Sequence, residues 1–349
     1  MEEAKRVAVN VVTWNSQAYL PNLLDSLEQQ DTRDFMVTMV DNASTDGTVN
    51  WLQESHPEVA MLRNFRNQGF SRAHNQAIAM VLSRWSESEL DKRYVLVANP
   101  DLEFSPEAIR TLTEYMDSHP DVASCTPKLL RAFIKSVDDD RRETERTNII
   151  DSTGLTITKA RRVFDRGAGE EDGGQYDTKT DIFGCSGACV MLRASYLVAS
   201  KCAGEVFDED IFAYKEDVDL AWRMRRMGYR SSFVPDAVVW HHRRAASAPK
   251  AGWLKTLLLR RSKSPFVNML STRNHGWVLW KNDEIGNALI HVVWWAPYEV
   301  AKSIGALFSL SSIKGEIASL AGIPKMLQKR KDMKTRITKT GGEMRKWFV

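Results

Sequence analysis

The chain has 349 residues, 43% of them hydrophobic and 27% charged, with a formal net charge of +3. That excludes collagen-like, low-complexity and disulfide-built chains, and the length suits a main domain carrying an appendage. The charge is uneven: residues 250–349 hold 18 Lys+Arg against 6 Asp+Glu, a net of +12, leaving a net of −9 for the first 249.

Met1–Arg6 shows no apolar segment of a signal peptide before the first strand, which leads us to expect a cytoplasmic protein. Arg6–Thr13, β-branched and almost uncharged, reads as a fully buried strand. Pro21–Gln30 reads as an amphipathic helix on Leu23, Leu24 and Leu27. The strand Phe35–Asp41 gives way to a helix bearing Val49, Trp51 and Leu52, capped by Ser44, Thr45 or Asp46. A short strand at Met61–Arg63, a turn at Asn67–Phe70 and a helix at Ser71–Leu82 follow, then a strand at Tyr94–Ala98 and a helix at Pro106–Ser118. Strands alternating with helices predict a parallel sheet.

Beyond Thr126 this rhythm breaks. Ser136–Asn148 is charged throughout and reads as a solvated loop or an excursion of the sheet edge, and Gly167–Gly174 reads as a turn. Asp181–Arg193 is a glycine-pivoted turn feeding a strand, Val206–Tyr214 an acidic, aromatic loop, and Val218–Met227 a helix stopped by Gly228. Tyr229–Val234 and Ala237–Trp240 read as two short strands. The four cysteines, Cys125, Cys185, Cys189 and Cys202, lack metal or redox spacing and are expected as small buried thiols in a reducing compartment.

Acidic residues close the apparent strands. Asp41 ends one, Asp101 follows another in Asn99-Pro100-Asp101, Glu216-Asp217-x-Asp219 opens a helix, and His241 lies 24 residues after Asp217. Carboxylates at strand ends of an open α/β sheet face the ligand crevice. Several in a row, followed by a histidine, suit a hard cation and a diphosphate. The plainer readings are a turn for Asn99–Asp101 and helix-dipole acids for Glu216–Asp219, the latter being the one that fits Asp219. A dinucleotide enzyme is set aside, because Thr13-Trp-Asn-Ser-Gln-Ala after the first strand lacks Gly-x-Gly-x-x-Gly.

Val11-Val-Thr-Trp-Asn15, Val40-Asp-Asn-Ala-Ser-Thr-Asp-Gly-Thr48, Asn99-Pro-Asp101 and Lys215-Glu-Asp-Val-Asp-Leu220 together resemble glycosyltransferase family 2, with bacterial rhamnosyltransferase-like members nearest. The resemblance covers roughly residues 6–247. It implies an α/β GT-A fold, Rossmann-like, with a mainly parallel central sheet flanked by helices over 1–248. It also implies inverting transfer of a sugar, rhamnose first, from a dTDP- or UDP-sugar. The acceptor would be a membrane-bound, lipid-linked saccharide of bacterial surface polysaccharide synthesis. By the same resemblance Asp217 is the catalytic base, with Glu216 beside it. Asp101 and His241 hold Mg2+ or Mn2+, His241 being preferred to His242 on its spacing to Asp217. Asp41 receives the uracil or thymine edge. Thr13, Asn15, Arg66, Asn67, Gly69 and Asn99 line the nucleotide, and Gly187 and Ala188 form a turn under donor and acceptor. Asn99 stands where the family usually has the first Asp of Asp-x-Asp. A non-catalytic sugar-nucleotide-binding or scaffold protein with the same fold is the alternative.

Residues 249–349 are basic, predicted helical, and hold six of the eleven tryptophans (Trp253, Trp277, Trp280, Trp294, Trp295, Trp347). That combination fits an anionic membrane surface better than nucleic acid, which is not expected as a partner. The uncharged runs Ile285–Tyr298 and Ser303–Ile313 fall short of the roughly 18 residues a crossing needs, so interfacial helices on the inner face of the membrane are expected. Arg273 and Lys281 read either as contacts to an acceptor diphosphate or as plain interfacial anchors.

Overall fold

A computed structural model describes residues 5–135, 143–242 and 264–349. The first half alternates as the periodicity dictates: β1 (Val7–Thr13), α1 (Leu20–Glu28), β2 (Phe35–Asp41), α2 (Thr48–Ser55), β3 (Ala60–Arg63), α3 (Gly69–Leu82) and β4 (Tyr94–Ala98). These strands run parallel, in the order β3-β2-β1-β4. Successive side chains of a strand face opposite ways, so Val7, Val9 and Val11 enter one core while Ala8 enters the other. The first core is closed by leucines of α1, the second by Ile78 and Val81 of α3. A three-layer helix–sheet–helix sandwich results.

The second half adds β5 (Leu102–Phe104), α4 (Ala108–Ser118), β6 (Val122–Lys135), β7 (Glu143–Ser152), β8 (Leu155–Ile157), β9 (Val163–Asp165) and β10 (Cys189–Arg193). Then come α5 (Ala194–Ser200), α6 (Glu216–Arg226) and β11 (Arg230–His241). Antiparallel pairs enter here: β10 joins β4 to β6, and β11, parallel to β6, carries β5 antiparallel on its far side. The sheet is therefore mixed: a parallel block β3-β2-β1-β4 and a parallel pair β6-β11, joined and flanked by antiparallel strands.

Two local expectations change. Much of the charged run after residue 142 is β7, antiparallel to β6; its other edge meets residues 169–172 through Asn148 and Ile150, and Glu145, Arg146 and Asn148 turn their side chains to solvent, as the polar run requires. Residues 136–142 lie outside the described set. The two short strands expected at 229–240 are one strand, β11, with a register shift between Val234 and Val238. Pro235, having no N–H, cannot continue the ladder there. All four cysteines are buried and free.

The C-terminal region comprises α7 (Pro265–Asn282), α8 (Ile285–Ile290), α9 (Val292–Ala306), α10 (Leu310–Ala321), α11 (Ile323–Met333) and α12 (Gly341–Met344). The division expected at residue 248 falls outside the described residues, as does Trp253. Helix α7 meets α10 closely: a Cβ on Gly276 would lie 2.0 Å from Ser319 Oγ, and one on Gly315 would lie 2.7 Å from the Met269 carbonyl. Val278, Met344 and Phe348 share a core with Val218, Ala221 and Trp222 of α6, so the tail is fused to that helix. Among the described residues no helix is long and apolar enough to cross a membrane.

Candidate active site

One wall of the cleft forms at the C-terminal ends of β1 and β2, where Thr13 and Asp41 are register partners. Both are buried, and the Thr13 hydroxyl has no partner among the described residues. Asp41 accepts from the Ser44 amide at 3.2 Å. Asn15 adopts φ 52°, a left-handed conformation asparagine tolerates. Its amide donates to Ser44 Oγ at 2.9 Å and its Oδ1 accepts from the Thr45 amide at 2.8 Å, which folds the β1 and β2 loops onto each other. Asn42, next to Asp41, donates to the Gly69 carbonyl at 3.1 Å, and Asn67 Oδ1 accepts from the Gly69 amide at 2.8 Å. Gly69 itself must be glycine, since its φ is +78° and a Cβ would lie 2.5 Å from the Phe212 carbonyl. Arg66 stands exposed at the rim.

The other wall is acidic. Asn99 donates its amide to the Ala188 carbonyl at 2.9 Å, just where β4 meets β10. Gly187, beside it, donates its amide to Asp217 Oδ2 at 3.1 Å, so one tight turn touches both the Asn99–Asp101 segment and the first turn of α6. A Cβ on Gly187 would meet Asp217 Cβ at 3.3 Å and the Phe70 ring at 3.5 Å. Because β5 pairs antiparallel with β11, with Leu102 opposite His241, Asp101 reaches the histidine: Oδ1 and Nε2 are 3.2 Å apart. His242 turns elsewhere, its Nε2 2.6 Å from Glu103 Oε1.

Sequence reasoning missed Asp151. Fully buried on β7, it lies 2.8 Å from His241 Nδ1 and 3.6 Å from Arg131. The signal was present, since Ile149-Ile150-Asp151 repeats the pattern of an acid closing an apolar run, but it sat just past the charged run Ser136–Asn148, in a stretch to which the pattern assigns no element. Burial opposes the charged form of His241, yet Asp101 and Asp151 outweigh it and hold its pKa up to about 9. Histidine fixed through one ring nitrogen by a carboxylate presents the other nitrogen in a set orientation. With the Asp101 carboxylate facing that nitrogen, the pair suits a divalent cation.

Glu216 is buried with Oε2 lacking a partner among the described residues; burial, then the neighbouring Asp217 charge, pushes its pKa up to about 8. Asp217 is also raised by burial, against the opposing Gly187 amide and Lys215. Burial and mutual repulsion therefore both disfavour a second negative charge on the pair. Asp219 faces inward instead: Lys281 Nζ lies 2.9 Å from its Oδ2, and Arg223 Nε bonds the same oxygen at 2.9 Å. Those cations hold its pKa low although burial favours the neutral acid. Lys281 is fully buried between Asp208 and Asp219, so it cannot meet an acceptor diphosphate.

Among the described residues, the carboxylate–histidine group with three ligand atoms mutually within 4.8 Å is Glu28, His56 and Glu58, at the C-terminal ends of α1 and α2. Those ends lie by the starts of the parallel strands, away from the crevice, and the group is largely exposed.

A family model described as Glycosyl transferase family 2 matches residues 8–198. The N-acetylglucosaminyl-diphospho-decaprenol L-rhamnosyltransferase of Mycobacterium tuberculosis is 28% identical over 277 residues, covering 77% of this chain and 85% of that protein. Rhamnosyltransferase WbbL of Escherichia coli K12 is 26% identical over 231 residues, covering 66% and 80%. A solved structure of GalNAc-T7 with UDP, GalNAc and Mn2+ is similar with a TM-score of 0.60 at 10% identity, covering 96% of this chain and 55% of that one, a likeness of fold.

Proposed function

The chain belongs to glycosyl transferase family 2, and from that premise we propose that it transfers a sugar, with inversion, from a dTDP- or UDP-sugar to a lipid-linked saccharide. Rhamnose is the favoured donor sugar, supported by the two rhamnosyltransferases similar to this chain. The lipid-linked acceptor draws support from the decaprenol diphosphate in the name of the first. The observation that carries the reading is the turn at Gly187–Ala188, bonded on one side to Asp217 and on the other to Asn99.

Thr13, Asn15 and Asp41 receive the nucleoside, Asp41 accepting from N3 of the pyrimidine. Asn67, Gly69 and Arg66 flank it. Asp101 and His241 are the residues that would hold Mg2+ or Mn2+, which supplies charge neutralisation for the departing diphosphate. Asp217 takes the proton of the acceptor hydroxyl as that oxygen attacks the anomeric carbon, and the C–O bond to the diphosphate breaks on the opposite face. Glu216, protonated at neutral pH, can donate a hydrogen bond to the acceptor. Gly187 holds the carboxylate in place through its amide, an orientation that costs nothing further at the moment of reaction.

The tail supports a peripheral seat on the inner face of the membrane. Val293, Leu307, Phe308, Leu310, Ile317 and Leu320 are each more than 60% exposed and lie on α9, α10 and the turn between them. Exposed apolar side chains of this size grouped on a basic tail fit the headgroup boundary. Trp280 and Trp294 are half exposed, whereas Trp277, Trp295 and Trp347 pack within the protein. The test is a panel of dTDP- and UDP-sugars with Mn2+ or Mg2+, scored by donor turnover. A dTDP- or UDP-sugar turned over by the wild type but not by Asp217→Asn supports the reading. Turnover of only guanosine or cytidine diphosphate sugars contradicts the role of Asp41.

A further inference from the structure

The loop that delivers Glu216 and Asp217 is strained. Phe212, Tyr214 and Lys215 take φ of 65°, 69° and 79°, left-handed values that residues with a Cβ rarely adopt. Such a conformation persists only where neighbours over-determine it. On one side of the loop the Phe212 carbonyl accepts from the Ser71 amide at 3.1 Å, at the start of α3 beside Gly69. On the other side stands α7.

Asn274 of α7 is wholly buried, and its Nδ2 lies 2.9, 2.8 and 2.8 Å from the carbonyl oxygens of Ile211, Ala213 and Tyr214. Arg273 adds Nη2 at 2.9 and 3.0 Å from the Asp210 and Ile211 carbonyls, while its Nε donates to Asn274 Oδ1 at 2.9 Å. Its guanidinium also rests 4.2 Å from the Trp277 ring centroid. We propose that Arg273 and Asn274 are positioning residues for the transfer reaction: they clamp the 210–215 backbone and so set where Asp217 stands against the nucleotide wall.

Docking of the tail does not need this pair. Two turns further along α7, Lys281 bridges Asp208 and Asp219, and Asn282 donates to Asp219 Oδ1 at 2.8 Å. Those bonds, with the core around Val278 and Trp222, fasten the tail to α6. Arg273 and Asn274 instead direct their donors at carbonyls of residues 210–214, the run that holds the strained Phe212 and Tyr214. The tail is then a working part of the active site as well as a seat for the enzyme.

What Asp217 does rests on the function proposed above; the clamp itself does not. The experiment compares full-length wild type, Asn274→Asp and Arg273→Ala by residue-level amide hydrogen exchange and by donor turnover. For Asn274→Asp the clamp predicts exchange over 211–217 faster by about ten-fold or more, with α1 to α4 unchanged. It also predicts kcat lower by about 100-fold with donor KM nearly constant, since a misplacement near 1 Å costs that much. A merely stabilising pair would raise exchange throughout and leave kcat intact, and that result overturns the proposal. So does exchange at 211–217 within about two-fold of wild type. Should Asn274→Asp fail to fold, Arg273→Ala decides by the same criteria, with about a ten-fold loss expected. If the wild type turns over no donor, the functional reading falls, and the exchange measurement still judges the clamp.

Discussion

Asn15, Asp41 and Asn67 are fixed by bonds to Thr45, Ser44 and Gly69, all within the parallel first half of the sheet. Asp101, His241 and Asp217 depend on far-flung partners: Asp151 for His241, a turn 30 residues upstream for Asp217, and α7 for the loop before it. The wall proposed for the nucleotide is a product of three neighbouring loops, those after β1, β2 and β3. The acidic wall is assembled from β5, β7, β11, α6 and the tail. A lesion in the first wall should therefore stay local, whereas the second can be damaged from remote positions.

The largest expected effect is at Asp217. Asp217→Asn keeps size and shape but removes the base, so donor turnover should fall by about 10³-fold, with nucleotide affinity by calorimetry unchanged. Equal weakening of nucleotide binding would mean the two walls are not separable. Next comes Lys281→Met, which strips one counter-ion from buried Asp208 and Asp219. Urea unfolding should lose about 3 kcal/mol. Asn67→Ala on the other wall removes one local bond and should lose only about 1 kcal/mol; comparable losses would erase the contrast.

Asp151→Asn alters the residue that orients His241 without touching Asp101. Mn2+ affinity, followed by the metal's own electron paramagnetic signal, should weaken by about 10- to 100-fold, and an unchanged affinity would remove Asp151 from the account. Taken per pH unit, the smallest effect is the pH dependence of Glu216. Its folded pKa, about 8, stands above the unfolded value of 4.5, so the folded state binds the extra proton between them. Stability should thus decline as pH rises through that window, by about 1 kcal/mol per unit at most, and level off above it. Glu216→Gln should flatten this slope; a slope that persists assigns it to another group.

How far the sequence spoke differs along the same divide. β1, α1, β2 and α3 announced themselves because the strands are near-continuous apolar runs and the helices bury a periodic apolar face, and their ends carry Asp41 and Gly69 in turns whose chemistry is local. Neither Asp151 nor Asn274 announced itself in that way. Asp151 acts only because β7 folds back along β6, across that strand from β11, a long-range pairing that a charged stretch does not advertise. Asn274 looked like part of a basic tail, yet it is buried against carbonyls some 60 residues upstream. Lys281 shows the same limit: a lysine in a basic segment reads as solvent-facing until two buried carboxylates are found around it. Pattern reveals which face of an element is buried, not which distant group it is buried against.

The most direct test is time-resolved proton NMR of the sugar released or transferred from a dTDP- or UDP-sugar in the presence of Mn2+. The wild type should yield first the anomer opposite to that of the donor, and Asp217→Asn none above background. Retention of configuration, or undiminished turnover by the variant, would contradict the assignment of Asp217 as the base of an inverting transfer.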